Sequence, residues 1–212
     1  MMYPSKRFVR PKELQNVTNG MLPAHLLSNV KPFGQLYWKA GAAWSAMLAA
    51  AKKDGLEFSH VGMYRSLAEQ EKLFKARYSK KPTGRKPEII RAYKGEQYWL
   101  RKGMAPAATP GRSNHGFACA VDISALVNGK VVSIGASRRH LDWLVANAGT
   151  FGWCWEVGDP RNPEFEIWHL ICWDCDSLPA STLGKSVDQA TKVKKPTRQE
   201  RKGRKNKMAG EV

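Results

Sequence analysis

The sequence predicts an α+β domain, a small sheet flanked by helices, followed by a basic tail. Three observations predict it. Apolar residues recur at helical spacing in 37–55, 66–80 and 133–152, whereas 56–64, 118–123 and 164–173 alternate or run apolar over strand lengths. Hydrophobic residues make up 42% of the 212, an ordinary globular share and enough for one domain with a real core. From about residue 180 apolar side chains give way to "KVKKPTRQERKGRKNK", a composition that buries too little surface to fold. The domain is therefore expected over 1–179, irregular at its start to about Val17, and a disordered tail over 180–212.

Taken in order, 1–37 reads as largely irregular, with turn signals and a short apolar run in "NVTNGMLPAHLL". The Ala-rich stretch from Tyr37 puts Trp44, Met47 and Leu48 on a helix that Gly55 closes. "LEFSHVGMY" alternates as a strand. Ser66 and Glu69 form a capping-box pattern for the next helix. Residues 79–112 read as a long Pro-, Gly- and Lys-rich connection with a short helix near 96–102. A connection of that length points to a functional wall, and Tyr93, Tyr98 and Trp99 are candidates to line a groove. A strand over 118–123, a helix over 133–152 with Leu141, Leu144 and Val145 on one side, and a last strand over 164–173 complete the domain.

The formal charge of +17 favours acidic partners. Residues 185–212 carry 10 Lys and Arg against 3 Asp and Glu, so the tail is the densest part. No aromatic residue is interleaved there, which disfavours nucleic acid and leaves anionic wall polymers or a membrane surface as partners for charge alone. A transmembrane helix is excluded, since no run of 18 apolar residues occurs. "MMYPSKRFVRP" lacks the apolar core of a signal peptide, so cytoplasmic synthesis is expected. Cys119, Cys154, Cys172 and Cys175 are then expected as reduced, partly buried thiols. The Cys172-x-x-Cys175 pair allows a second zinc site or a redox pair as the alternative.

The chemistry lies in "SNHGFACAVDI". A turn around Asn114–Gly116 leads into a strand whose one face carries Ala118, Ala120 and Asp122 and whose other carries Cys119, Val121 and Ile123. His115 stands at the mouth of the small-residue face, and a His and an Asp with open space around them suit a metal. In "EFEIWHL", Glu166 precedes His169 by three. Zinc in a catalytic site takes three protein ligands and keeps one position open. His115, Asp122 and His169 would supply those ligands and leave Glu166 as a base. Residues i and i+3 of a strand face opposite ways, so the chain must bend near Ile167. His60 reads as an ordinary strand residue beside the cleft, and His25 and His140 as surface or satisfied positions.

Ser113-x-His115-x6-Asp122, then Glu166-x-Trp168-His169, with Tyr64-Arg65-Ser66-x3-Gln70 upstream, resembles the VanY-like D-alanyl-D-alanine carboxypeptidase family of zinc peptidases over roughly 18–175. "PAATPGRSNHG" is similar to the phage endolysins of that family. The resemblance implies a small antiparallel sheet flanked by helices. It implies zinc held by His115, Asp122 and His169, Glu166 as general base and Arg65 facing the substrate. Ser113 and Gln70 would bind substrate. It implies a monomeric enzyme that cleaves peptide bonds of peptidoglycan at the bacterial cell wall, as a phage lysin. Ala118 replaces the family's usual Gly and Leu170 its usual aromatic residue; neither change removes a ligand or the base. The alternatives are a zinc-binding module without catalysis, which retention of Glu166 and Arg65 argues against, and a basic nucleic-acid-binding protein.

Overall fold

The computed structural model describes residues 3–30, 34–157 and 165–183. Strand β1 (Ser5–Lys6) is followed by an antiparallel pair, β2 (Leu27–Asn29) and β3 (Gln35–Tyr37). Helix α1 (Trp38–Lys53), strand β4 (Glu57–Gly62) and helix α2 (Leu67–Arg77) come next. Strands β5 (Tyr78–Ser79), β6 (Ile90–Tyr93) and β7 (Glu96–Leu100) form a separate three-stranded sheet. Then follow β8 (Ala120–Val127), β9 (Lys130–Ser133), α3 (Arg138–Asn147), β10 (Trp153–Glu156), β11 (His169–Cys172) and the short α4 (Ala180–Leu183).

The main sheet runs β1-β10-β11-β8-β4, with β9 also paired to β8. Its pairs are antiparallel except for β1 beside β10. Period-2 alternation divides this sheet. Val121, Ile123, Trp153, Trp155 and Leu170 are at most 1% exposed and belong to the main core. There they join Ala40, Trp44 and Met47 of α1, spaced three and four apart as a buried helix stripe requires. Trp44 meets Trp153 edge-on, with ring centroids 5.6 Å apart. On the opposite face Ala120, Cys154 and Ile171 form a smaller apolar cluster. The same alternation brings Asp122 and His169 to that face.

Ser66 caps α2 as expected: its Oγ accepts from the Glu69 amide at 3.3 Å, and the Glu69 carboxylate accepts from the Ser66 amide at 2.8 Å. Several expectations are corrected. Residues 96–100 are strand, not helix. Lys94 and Gly95 both have positive φ, 51° and 78°, the conformation of the hairpin turn whose twist matches paired strands. Tyr93 and Tyr98 do not line a groove; with Phe74, Tyr78, Ile89, Leu100 and Ala107 they form a second small core under the wall. The stretch 1–37, read as largely irregular, contains β1, β2 and β3. The partners of β1 are Trp155 and Glu156, too distant in sequence to be inferred locally. Strand β9 follows an Asn128–Gly129 turn with φ of 50° and 73°. Ala118 precedes β8 in a left-handed conformation, φ 55°, so the shared face begins at Ala120. That φ explains why glycine suits the position. The third helix is shorter than expected, Arg138–Asn147, with single 3-10 turns on either side. Residues 180–183 are helical and Leu183 packs on the core; the expected tail from 184 to 212 lies outside the described residues.

Candidate active site

His115 sits in a one-turn 3-10 helix, Asn114–Phe117, between β7 and β8. The chain leaving β4 braces it at both ends: its Nδ1 lies 2.8 Å from the Met63 carbonyl oxygen, and its own carbonyl accepts from the Arg65 amide at 3.1 Å. A carbonyl only accepts, so Nδ1 carries the proton and Nε2 turns a lone pair toward Asp122 Oδ1, 3.2 Å away. His169 pairs directly with Asp122 across β11 and β8, and its Nδ1 is 3.0 Å from the same oxygen. Gly116 lies so close to the Asn19 carboxamide that a Cβ would overlap it. Asn19 in turn donates to the Ser113 carbonyl at 2.7 Å, which fixes the loop carrying His115. Gly116→Ala is accordingly expected to cost about 1–3 kcal/mol of stability, as overpacking of a filled site does. Urea denaturation measures it; an unchanged midpoint would show that Asn19 yields freely.

The electrostatics follow from burial. Desolvation lowers the pKa of His115 and favours its neutral form. Burial would lower His169 too, but the Asp122 carboxylate outweighs it and the pKa rises. Burial raises Asp122, yet the two imidazoles beside it hold its carboxyl well below the usual range. With His115 neutral, Nε2 and Oδ1 are two acceptors in contact, an arrangement relieved by a cation between them. His115, Asp122 and His169 offer ligand atoms all within 4.8 Å of one another, and are the group so placed among the described residues. Two imidazole nitrogens, one carboxylate oxygen and an open side fit the donor set of a catalytic zinc.

The predicted bend is present. Ile167 and Trp168 form a turn, and the His169 amide donates to the Glu166 carbonyl at 3.0 Å, so Glu166 reaches the same cavity as His169. The cavity, about 800 Å³, has Asp122, His115 and His169 in its floor and Arg65, Ser113 and Glu166 among its other lining residues. Arg65 Nη2 lies 4.0 Å from Asp122 Oδ2, and its Nη1 donates to Gln70 Oε1 at 2.8 Å. Gln70 is only 2% exposed and does not line the cavity. Its Nε2 donates to the Ala108 carbonyl at 2.7 Å, so the amide links Arg65 to the wall rather than facing substrate.

Sequence reasoning missed Glu156 and Asn114. Glu156, the last residue of β10, has its Oε2 3.9 Å from His169 Nε2 and accepts from Asn114 Nδ2 at 2.8 Å. Strand pairing supplies this contact, and no local motif announces it. Among the other histidines, His140 Nδ1 is 2.7 Å from the Ser137 hydroxyl, and neither it nor His60 or His25 lines the cavity. The four cysteines are free and buried. Cys175 Sγ lies 2.7 Å from Cys172 Sγ and 3.9 Å from Cys119 Sγ. Burial pushes the Cys119 and Cys172 thiols up, whereas their hydrogen bonds to Cys175 pull that thiol down.

A family model described as VanY, D-alanyl-D-alanine carboxypeptidase, matches residues 35–173. A protein of Bacillus subtilis (strain 168) named as a carboxypeptidase, YodJ, is 32% identical over 139 residues, 62% of this chain and 44% of that protein. The chain therefore spans less than half the length of this curated relative. Among solved structures, the LD-carboxypeptidase LdcB is similar in fold, with a TM-score of 0.53 at 24% identity over 76% of this chain and 77% of its own. The D,D-pentapeptidase VanY of a VanB-type vancomycin-resistance cassette, solved with Zn(II), gives 0.47 at 20% identity over 71% and 81%.

Proposed function

Because the chain belongs to the VanY family of D-alanyl-D-alanine carboxypeptidases, we propose that it is a zinc peptidase that trims the peptide stems of bacterial peptidoglycan at the cell wall. The observation that carries the reading is the convergence of His115, Asp122 and His169 in the floor of a cavity that Arg65 and Glu166 also line. His115 Nε2, Asp122 Oδ1 and His169 Nδ1 would hold the ion. When bound, it supplies Lewis acidity toward water and the scissile carbonyl. Glu166 takes the proton of the attacking water on a carboxylate oxygen and returns it to the leaving amine. Arg65 donates to the oxygen on which negative charge develops, or to the substrate carboxylate beside it. The Ser113 hydroxyl hydrogen-bonds the peptide. Gln70 acts through Arg65 as a positioning residue.

The test is digestion of purified stem peptides by the zinc-loaded protein, with products identified by mass spectrometry. Release of a single C-terminal residue supports the reading; intact peptides under all metal conditions refute it. A second reading, an endopeptidase of phage-lysin type, is favoured by the likeness of Pro106–Gly116 to endolysins. It differs in its products, which would be new termini within cross-linked wall. The basic residues after 184 would then hold the enzyme near anionic wall polymers by charge. Gln70→Ala is expected to lower turnover about 10- to 100-fold while zinc content stays at the parent level, because a freed guanidinium no longer meets the substrate in one geometry. Unchanged turnover would remove Gln70 from the positioning of Arg65.

A further inference from the structure

The cavity is richer in cations than peptide hydrolysis requires. Among the described residues five guanidinium groups line it, those of Arg7, Arg65, Arg77, Arg91 and Arg112. Among the described residues three carboxylates line it too, and each is engaged: Asp122 by two imidazoles, Glu156 by Asn114, and Glu166 by a partner of its own. Arg65 sits beside Asp122 and Gln70 at the metal end.

Arg7, Arg77, Arg91 and Arg112 remain, and the last three line the cavity from the stretch of chain that runs from the end of α2 to β8. Arg77 comes from the last turn of α2, Arg91 from β6, and Arg112 from the loop that leads to Ser113. Among the described residues none of the three is in an ion pair. Arg77 Nη1 donates to the carbonyls of Ala105 and Pro106, at 3.3 and 2.9 Å, which orients the group without neutralising it. Arg91 is only 9% exposed, an unusual state for a guanidinium without a carboxylate partner. The charge of Arg77 also weighs against that of Arg65. Burying and crowding like charges costs free energy, and an arriving anion would recover it.

We propose that Arg77, Arg91 and Arg112 form an anion subsite that takes a carboxylate of the substrate peptide distinct from its C-terminus, so that the enzyme prefers stems whose third residue carries a side-chain carboxylate, as diaminopimelate does, over those with lysine. The inference rests on the stem-peptide reading above and names its substrate class. The guanidinium forks donate paired hydrogen bonds to the carboxylate. Diaminopimelate and lysine carry the same side-chain ammonium and differ by that one carboxylate, so the discrimination rests on the paired bonds to it and on the charge it cancels.

The test uses two synthetic stem peptides ending in D-Ala-D-Ala that differ only at the third residue, diaminopimelate or lysine. Binding is measured by titration calorimetry on the full zinc-loaded chain and on its Glu166→Ala variant, and kcat/KM on the parent enzyme. The diaminopimelate peptide is expected to bind about 10- to 100-fold more tightly, the range for charge-assisted bonds to one carboxylate. The preference should weaken with salt. Arg91→Gln and Arg112→Gln should each reduce it to within about 3-fold, with the change in KM rather than kcat, whereas Arg91→Lys keeps part of it. Arg112 is exposed on a loop, so its variant folds even if a change at buried Arg91 does not. Equal binding of the two peptides, or a preference untouched by both Gln variants, overturns the subsite. Arg112-dependent binding of the diaminopimelate peptide without hydrolysis of either upholds the subsite and refutes the peptidase reading instead.

Discussion

Replacing His115, Asp122 or His169 by Ala is expected to abolish tight zinc binding and to lower peptide hydrolysis by about 10³-fold or more. Each residue supplies one of the three ligand atoms that lie within 4.8 Å of one another. A site with three protein ligands has none to spare, because its fourth position must stay open for water and substrate. The loss should be unequal in origin. Asp122 Oδ1 also lies 3.0 Å from His169 Nδ1, so its removal deprives that buried ring of its acceptor as well. His115→Ala additionally leaves the Met63 carbonyl without its partner, so part of that variant's deficit is stability. Metal content by atomic absorption after dialysis separates the two: Asp122→Asn keeps the shape of the side chain and is expected to hold less than about a tenth of the parent zinc. Full stoichiometry in a His115→Ala/His169→Ala double variant would overturn the assignment and direct attention to Cys119, Cys172 and Cys175.

The Glu166→Gln substitution is expected to keep zinc at the parent stoichiometry and to lower turnover about 10²- to 10⁴-fold, the usual worth of a positioned general base. Glu166 is not in the ligand group. The turn at Ile167 and Trp168 sets it beside the cavity while His169 enters β11. Glutamine fills the same space and keeps an acceptor, but it cannot hold the proton that must pass from water to the leaving amine. The deficit should therefore appear in kcat with little change in KM. Near-parent turnover would assign Glu166 to the structure of the turn. Loss of zinc would make it a ligand.

The site was legible in the sequence where its logic is local. Ser113, His115 and Asp122 fall on one turn and the strand that follows it. Glu166 and His169 fall on another bend, which the opposition of i and i+3 already required. The capping box of Ser66 and Glu69 is equally local. What escaped depends on strand pairing. Glu156 meets His169 only because β10 lies beside β11, and Asn19 reaches Ser113 across 94 positions. The hairpin of β6 and β7 was hidden for a different reason: lysine occupies the first left-handed turn position, where asparagine or aspartate would have announced it. Asn128–Gly129 did carry that signal ahead of β9. Gln70 was marked as a substrate-binding candidate; the use of both ends of its amide by Arg65 and the Ala108 carbonyl is a matter of packing that spacing alone does not reveal.

The separate small core under β5, β6 and β7 has a consequence for motion. Phe74 and Tyr78 stack at 4.5 Å, and Tyr98 closes on Phe74 at 5.1 Å, so this wall is stabilised largely by itself. Among the described residues six buried side chains anchor it, against thirty in the main core. A unit with so little buried surface opens at a lower free energy than the whole domain. The amides of β6 and β7 should exchange with solvent deuterium well before those of β8 and β11, and occupation of the arginine wall by an acidic peptide should slow the first set alone. The floor that holds His115, Asp122 and His169 would remain in register throughout, so the chain can loosen its grip on one end of a peptide without releasing the geometry at the other.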